Sequence, residues 1–574
     1  MVHITSRAGY FLELLINGAF VLIYTLVKNK KLPEALKIIP SEYYTDWAVW
    51  LAPFLVLYTT VIHFKRSESV EDFIRKYVFS LIILIPMLIT IGDPEFSYWL
   101  AMVHLFSTFI SLNEGVEKKT NEKSRHLDWI YATKLTPAQT VILSFGAIIF
   151  IGSLLLSLPI AAQAGKSIKF IDAIFTATSA TCVTGLATLS LADDFSPFGQ
   201  IVVLALVQIG GLGFMTLSTS LALFMGKSLG VREQLMMQGM LDSSSSQELL
   251  DLIINIVKFT LLIEFLGAMV LTIGFFNADY EIGQSLYLGF FHSISAFCNA
   301  GFALFNTSLE EFKFSPLIHG TIAVLVILGG LGFVVIQELL EAIRTKKRVL
   351  DFSLHTKIVL TTNFLLLAFA ATYLFFGEFL HAFADYTLWQ KFQVSLFQSV
   401  TIRTAGFNSL PLTDLHPHSL YMMILLMFVG ASPGSTGGGV KTTTFAILVQ
   451  SVKATLTNNN RVEMFERTIP NTIVVRSIAI FIISLITVST AVLIMMRIEP
   501  GKDFLSLLFE TVSAFGTVGL SLGITSSLTF IGKLVLSALM FIGRVGPLTL
   551  VLAVGENAAG GDRLKYPESK ILIG

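Results

Sequence analysis

Charge is the scarcest commodity in this chain. Asp, Glu, Lys and Arg make up 14% of its 574 residues, against about a quarter in soluble domains, and 39 basic side chains balance 39 acidic ones. A neutral chain offers no basic face to nucleic acid, and no run of like charge marks an extended tail. Cysteine is nearly absent: Cys182 and Cys298 are the only two. That is too few for a disulfide framework or a Cys/His metal site, so both are read as small, weakly polar side chains and the redox compartment stays open. There is no nucleophile elbow and no phosphate-binding lysine loop in a soluble setting, so the chain is not expected to be an enzyme or to carry a covalent cofactor. Apolar residues take the vacated places, at 54% of the sequence and a mean hydropathy of +0.74. Composition therefore predicts a polytopic, all-α integral membrane protein.

One short stretch returns four times. It reads SATCVTG at 179–185, SAFCNAG at 295–301, VTIRTAG at 400–406 and SAFGTVG at 513–519. The closing glycines, Gly185, Gly301, Gly406 and Gly519, stand 116, 105 and 113 residues apart, a period too long for a solenoid. Each copy ends an apolar run and places small or hydroxyl residues before a glycine, which suits a turn of positive φ with an exposed carbonyl. Extended backbone at membrane depth is tolerated only where it lines a wet cavity. Four such strands about an axis supply rings of carbonyl oxygens that replace the hydration shell of a monovalent cation, and the C-terminal dipoles of the helices leading into them add negative potential. A glycine closing a Ser/Ala run is by itself ordinary helix-packing sequence, and only the fourfold recurrence argues against that.

Around each copy the sequence predicts a long helix, a short pore helix with its strand, and a second long helix. The first helices are expected over 137–161, 253–275, 356–377 and 472–496, and the second over 197–223, 316–341, 417–449 and 527–553. Unit boundaries follow at 131–235, 236–350, 351–465 and 466–574, preceded by residues 1–130 with about four extra transmembrane segments, at 9–27, 46–64, 76–92 and 96–112. No small-residue cleavage site follows the opening residues, so they read as mature sequence. Lys118, Lys119, Lys123, Arg125, Lys227, Arg232, Arg344, Lys346, Lys347, Arg348, Lys453, Arg461 and Arg467 fall between units, whereas few basic residues follow the glycines. By the positive-inside rule the strands open outward. Lys28, Lys30, Lys31 and Lys37 disagree with that orientation if all four leading segments span.

The second helices carry their own repeat: GGLGF at 210–214 and 329–333, GRVGP at 543–547, and GASPGSTGGGVK at 430–441. Gly213, Gly332, Gly434 and Gly546 lie 28, 31, 28 and 27 residues after their strand glycines, and so share one depth. Each Gly costs a helix about 1 kcal/mol and Pro about 3, so the third of these helices is predicted to break and line the pore. A phosphate loop or a flexible linker is the alternative for GSTGGG, disfavoured by its apolar flanks.

These four stretches, with GASPGSTGGGVKTTT, FETVSAFGTVGLSLGIT, MFIGRVGPLTL and the ending YPESKILIG, resemble the Trk/Ktr/HKT superfamily of potassium transporters over about 137–574, and most closely the Ktr-type pore subunit. The leading 130 residues depart from that pattern. The resemblance implies a single pseudo-fourfold pore per chain, preceded here by the extra helices, in a multi-pass plasma-membrane protein. It also implies a homodimer, to which the tail 566–574 would contribute, and a cytosolic nucleotide-binding regulatory ring. Potassium is the implied cargo, with sodium a candidate activator.

The candidate potassium-coordinating residues are Thr181, Cys182, Val183, Thr184 and Gly185; Cys298, Asn299, Ala300 and Gly301; Arg403, Thr404, Ala405 and Gly406; and Gly516, Thr517, Val518 and Gly519. Gating is assigned to Gly434, Ser435, Thr436, Gly437, Gly438, Gly439, Lys441 and Arg544. An Arg aimed into a cation path would repel its cargo, so Arg403 is expected to face outward and pair with an acid, with Glu510 a candidate. Arg544, at the depth of the loop, is expected to bind loop carbonyls or to bridge helices. Lys441 is either a barrier below the strands or a snorkelling anchor. His292 reads as a packing residue. The competing classes are a secondary transporter of inverted repeats, which the direct order of all four units opposes, and a membrane enzyme or receptor with a polar intramembrane cavity, which would need paired carboxylates or metal ligands at membrane depth, and the strands have none.

Overall fold

The computed structural model describes residues 137–213, 246–346, 348–459, 461–547 and 549. The extra segments within 1–130, Lys227, Arg232 and the tail 566–574 lie outside the described residues. The chain divides into two compact units, Met1–Thr133 with Leu158–Ile160, and the remainder. The architecture below belongs to the second.

Its helices come in order as α1 (Pro137–Leu156), α2 (Phe170–Thr181), α3 (Pro197–Leu212), α4 (Ser246–Phe276), α5 (Ile282–Phe297), α6 (Pro316–Leu331), α7 (Phe333–Thr345), α8 (Leu354–Gly377), α9 (Leu388–Thr401), α10 (Pro417–Phe428), α11 (Thr442–Leu456), α12 (Asn471–Ile498), α13 (Phe504–Gly516) and α14 (Phe530–Val545). Strands β1 (Glu463–Met464) and β2 (Arg467–Thr468) form a two-residue hairpin between α11 and α12. The fold is otherwise helical, as the sequence predicts.

Start signals are local. Proline follows the cap of α3, α6 and α10, where its fixed φ fits the first turn and its missing N–H costs nothing. The Ser196 hydroxyl accepts from the Gly199 N–H at 3.3 Å, and Thr529 does the same for Gly532 at 3.2 Å. Thr387 and Gln390 form a reciprocal capping box at the start of α9.

Ile254–Phe276, Leu354–Gly377 and Asn471–Ile498 are long and apolar enough to cross a bilayer. They present Phe364, Leu365, Phe376, Ile486 and Leu493 outward, as lipid-facing helices do. The short helices face the other way: Phe175, Ala177, Ser179 and Thr181 of α2, and Phe509, Glu510, Phe515 and Gly516 of α13, are buried. Packing order explains why. Each helix that follows a glycine turn also contacts the short helix of the next unit, α3 on α5, α6 on α9 and α10 on α13, and α14 returns to α2.

That last contact carries an ion pair, Lys533 Nζ donating to Asp172 Oδ1 at 2.7 Å with both side chains nearly buried. Removing one partner of a buried pair costs about 3–5 kcal/mol, because the other charge is left desolvated and alone. Asp172→Asn should therefore lower the thermal midpoint of the detergent-purified protein clearly, and Asp172→Leu with Lys533→Met should regain most of the loss. Equal midpoints for Asp172→Asn and the unchanged chain would show that the ring closes without this pair.

The second helices are shorter than their apolar sequence predicts. A continuous helix over 316–341 is replaced by α6 and α7, bent by 105° at Gly332, whose φ and ψ are 96° and 139°. Gly213 (79°, 135°) ends α3 and Gly546 (91°, 134°) ends α14 in nearly the same conformation. Side chains rarely adopt such angles, so glycine at this depth stops a helix that hydropathy alone would continue. Non-helical backbone is thus not confined to the third of these helices.

Candidate functional site

The four repeated stretches take up one local conformation. Each short helix ends, and the residue two before the glycine adopts positive φ: Val183 at 56°, Asn299 at 60°, Thr404 at 69° and Thr517 at 51°. Non-glycine residues seldom do so. The glycines follow at 95°, 69°, 78° and 90°. In three copies the N–H before the glycine returns to a carbonyl five residues earlier, Thr184 to Ser179 at 2.8 Å, Ala300 to Ser295 at 2.7 Å and Val518 to Ser513 at 2.8 Å. In the remaining copy Ala405 and Gly406 share the Thr401 carbonyl at 3.1 and 3.5 Å, so its turn sits one residue later. These bonds occupy the N–H groups of the turn.

The glycines meet in a closed ring. A Cβ placed on Gly185 would strike the Ala300 carbonyl oxygen and lie 3.2 Å from the Gly301 Cα. One on Gly301 would lie 2.7 Å from the Ala405 oxygen and 2.8 Å from the Gly406 Cα; one on Gly406, 2.6 Å from the Val518 oxygen and 3.3 Å from the Gly519 Cα. On Gly519 it would strike the Thr184 oxygen and lie 3.0 Å from the Gly185 Cα. Every missing side chain thus faces the carbonyl before the next glycine. The short helices end at this ring, α2 at Thr181 and α13 at Gly516, and bring the negative ends of their dipoles to it.

A second set of glycines brings the neighbouring helices onto this ring. Gly210 backs the Thr181 carbonyl, Gly329 the Phe297 carbonyl and Gly543 the Phe515 carbonyl, each too close for a Cβ. The first glycine of each repeated second-helix motif is therefore a close-approach residue.

Between α10 and α11 the chain is irregular from Val429 to Lys441, and it lies against the turns. Gly438 N–H donates to Thr517 Oγ1 at 2.9 Å, Thr436 Oγ1 to the Phe297 carbonyl at 3.3 Å, and Gly437 abuts Thr404. Backbone bonds tie it sideways, Ser432 N to the Gly330 carbonyl at 3.1 Å, Thr436 N to Gly329 at 3.2 Å, Gly439 N to Gly543 at 3.3 Å and Phe333 N to the Gly434 carbonyl at 2.9 Å. The bend at Gly332 exposes that last N–H. Ser435 Oγ closes a local turn on the Ser432 carbonyl at 2.6 Å.

Two cations hold this segment. Lys441 Nζ donates to the Gly437 carbonyl at 2.6 Å, so it turns into the loop instead of snorkelling. Arg544 donates through one terminal nitrogen to the Thr436 carbonyl and through the other to the Gly210 and Gly211 carbonyls. The predicted bond to a loop carbonyl forms, and the bridge to α3 forms with it.

The predicted pairing of Arg403 with Glu510 does not occur. Glu510 is held by Ser521 Oγ at 2.5 Å, Thr525 Oγ1 at 2.8 Å and Leu522 N–H at 3.1 Å, all donors from the chain just beyond Gly519. Local hydroxyls and an N–H satisfy the carboxylate, so no arginine is needed. Arg403 is buried, and its Nε meets no acceptor among the described residues. His292 is a satisfied packing residue, with Nδ1 2.8 Å from the Leu288 carbonyl and Nε2 3.3 Å from the Leu304 N–H. Cys182 and Cys298 are free and buried. Cys298 Sγ lies 3.8 Å from Glu264 Oε1, and Gln208 Nε2 donates to the same carboxylate at 3.2 Å. Sequence reasoning passed over Glu264, although a lone acid inside LLIEFLGA was a visible signal.

A helical membrane protein whose short helices point their C-termini at one ring of backbone oxygens belongs to the class that handles cations. The TrkH family profile, described as a cation transport protein, matches residues 101–558. The Ktr system potassium uptake protein B of Bacillus subtilis is 36% identical over 457 residues, covering 79% of this chain and 100% of that protein. Its counterpart in Vibrio alginolyticus is 39% identical over 439 residues, 76% and 94%. The potassium/sodium uptake protein NtpJ of Enterococcus hirae is 36% identical over 449 residues, 77% and 98%. The crystal structure of the potassium transporter TrkH from Vibrio parahaemolyticus shares the fold, with a TM-score of 0.61 and 19% identity over 83% of this chain and 96% of that one. The chain belongs to the TrkH cation transport family, as a Trk/Ktr-type membrane subunit.

Proposed function

We propose that this chain takes up potassium across the plasma membrane through the ring formed at Gly185, Gly301, Gly406 and Gly519. The observation that carries the reading is the cyclic approach of each glycine to the next unit's carbonyl, the kind of backbone ring whose oxygens replace the hydration shell of a cation. The carbonyls from Thr181 to Gly185 and at the matching positions of the other copies serve as the selectivity filter. Four helix–turn–helix units, bounded at 131–235, 236–350, 351–465 and 466–574, surround it. The segment from Gly434 to Gly439 with Lys441 and Arg544 acts as the gate. The relatives named for potassium uptake and potassium/sodium uptake support the cargo and a dependence on sodium; a homodimer and a cytosolic nucleotide-binding regulatory ring complete the proposal.

Purified full-length chain in liposomes should take up rubidium down a potassium gradient, with potassium competing far better than sodium or lithium. Varying sodium on each side tests coupling. Uptake no greater than in protein-free vesicles, with and without sodium, would refute the function.

A further inference from the structure

A cluster that transport does not use sits where α8 ends and α10 begins. We infer that Glu378, His381 and His416 form a binding site for a borderline divalent transition-metal ion, with zinc as its type. Each side chain offers one ligand atom, and the three atoms lie within 4.8 Å of one another. Two imidazoles and a carboxylate are a donor set that holds zinc and similar transition metals, unlike the all-oxygen shells of calcium and magnesium. Tetrahedral bonds of roughly 2.0–2.1 Å place ligand atoms about 3.4 Å apart, so the widest separation must close by up to about 1.4 Å. His381 can supply that movement, since it is exposed while Glu378 is fully buried.

Packing alone explains Glu378 but not the histidines. Glu378 Oε1 accepts the His416 N–H at 3.0 Å, capping α10. The fourth unit contains the same device: Glu499 Oε1 accepts the Thr529 N–H at 2.7 Å, capping α14. The turns after the two acids also match, with His381 N bonded to the Glu378 carbonyl and Lys502 N to the Glu499 carbonyl, both at 3.1 Å. His381 and His416 therefore stand where the fourth unit has Lys502 and Thr529, residues that leave the capping intact and offer no such ligand set.

The imidazoles are close but stacked, their ring centroids 3.8 Å apart at 25°, so the exposed His381 ring must turn before both nitrogen lone pairs converge on one ion. His381 Nδ1 is 3.2 Å from Glu378 Oε2, the oxygen not used in capping. His418 stacks on His416 at 5.1 Å between ring centroids, but its Nδ1 lies against Tyr373 Oη and Ser419 Oγ, which leaves the fourth position to water. A bound ion ties the end of α8 to the start of α10, the helix that runs into the Val429 to Lys441 segment. α8 also reaches that segment directly, through Asn363 Nδ2 to Ser432 Oγ at 3.0 Å. Any effect of that tie on flux rests on the proposed function; binding itself does not.

The test is a zinc titration of the purified full chain in detergent, compared with His381→Ala, His416→Ala and the double variant. The unchanged chain should bind one zinc more per chain than the double variant, and each single variant should bind that ion at least tenfold more weakly. Equal stoichiometry and affinity in all four proteins would overturn the site, even if rubidium uptake proceeds as proposed. Should a variant fail to remain monodisperse, X-ray absorption of the zinc-loaded unchanged chain decides. Two imidazoles in the shell support the site, and a shell of sulfur or of oxygen alone overturns it.

Discussion

Gly519→Ser is expected to reduce the preference for potassium over sodium by at least tenfold, about 1.4 kcal/mol, in liposome competition assays. Gly519 has φ of 90° and stands against the Thr184 carbonyl. A serine there pays about 1–2 kcal/mol for left-handed backbone and drives its Cβ into the oxygen that the cation would use. Relief requires one strand to move away from its neighbour, and a ring of fixed radius is then lost. Gly406→Ser should act in the same direction, through the Val518 carbonyl at 2.6 Å. Gly320→Ala provides the control, because nothing lies within 4 Å of its added Cβ and it sits inside α6 at ordinary helical angles. Normal expression with unchanged preference in both serine variants would mean that the glycine ring does not select the ion.

The four turns were legible because a fourfold repetition of one seven-residue pattern carries its own register. Glycine doublets were legible as a repeat but not as close-approach residues, since sequence does not say which carbonyl faces them. The bend at Gly332 was missed for a related reason. Phe333, Val335 and Ile336 continue the apolar pattern beyond it, and hydropathy counts side chains, whereas the break is made by one backbone angle. Arg403 and Glu510 invited pairing by charge alone. The carboxylate instead found Ser521 and Thr525 within its own unit, a solution open to any acid near hydroxyls and invisible without coordinates in three dimensions. Glu378, His381 and His416 lie within 39 residues of chain, yet only the return of the chain at α10 brings them together.

Arg544→Ala is expected to raise flux in the absence of any partner, by about 5–150-fold if its contacts hold a closed state by 1–3 kcal/mol. Its guanidinium joins the Thr436 carbonyl of the irregular segment to the Gly210 and Gly211 carbonyls of α3. Hydrogen bonds from a charged donor are worth about 1.5–3 kcal/mol each, so their loss weakens the hold on the segment by more than the coupling required. Lys441, bonded to the Gly437 carbonyl, keeps part of that hold. Arg544→Lys should therefore fall between, because an ammonium on one flexible stem lacks the planar fork that reaches both sides at once. Deleting residues 435–438 removes the proposed gate, together with the Gly438 to Thr517 bond, and should raise flux further. Ion preference should change little in Arg544→Ala, since the glycine ring keeps its own turn bonds, from the Thr184, Ala300 and Val518 N–H groups to the Ser179, Ser295 and Ser513 carbonyls. Initial rates of rubidium uptake, normalised to inserted protein, measure the first effect, and sodium competition in the same vesicles measures the second. If both variants insert normally and conduct no faster than the unchanged chain, the segment between Val429 and Lys441 braces the ring from below and the barrier to flow lies elsewhere.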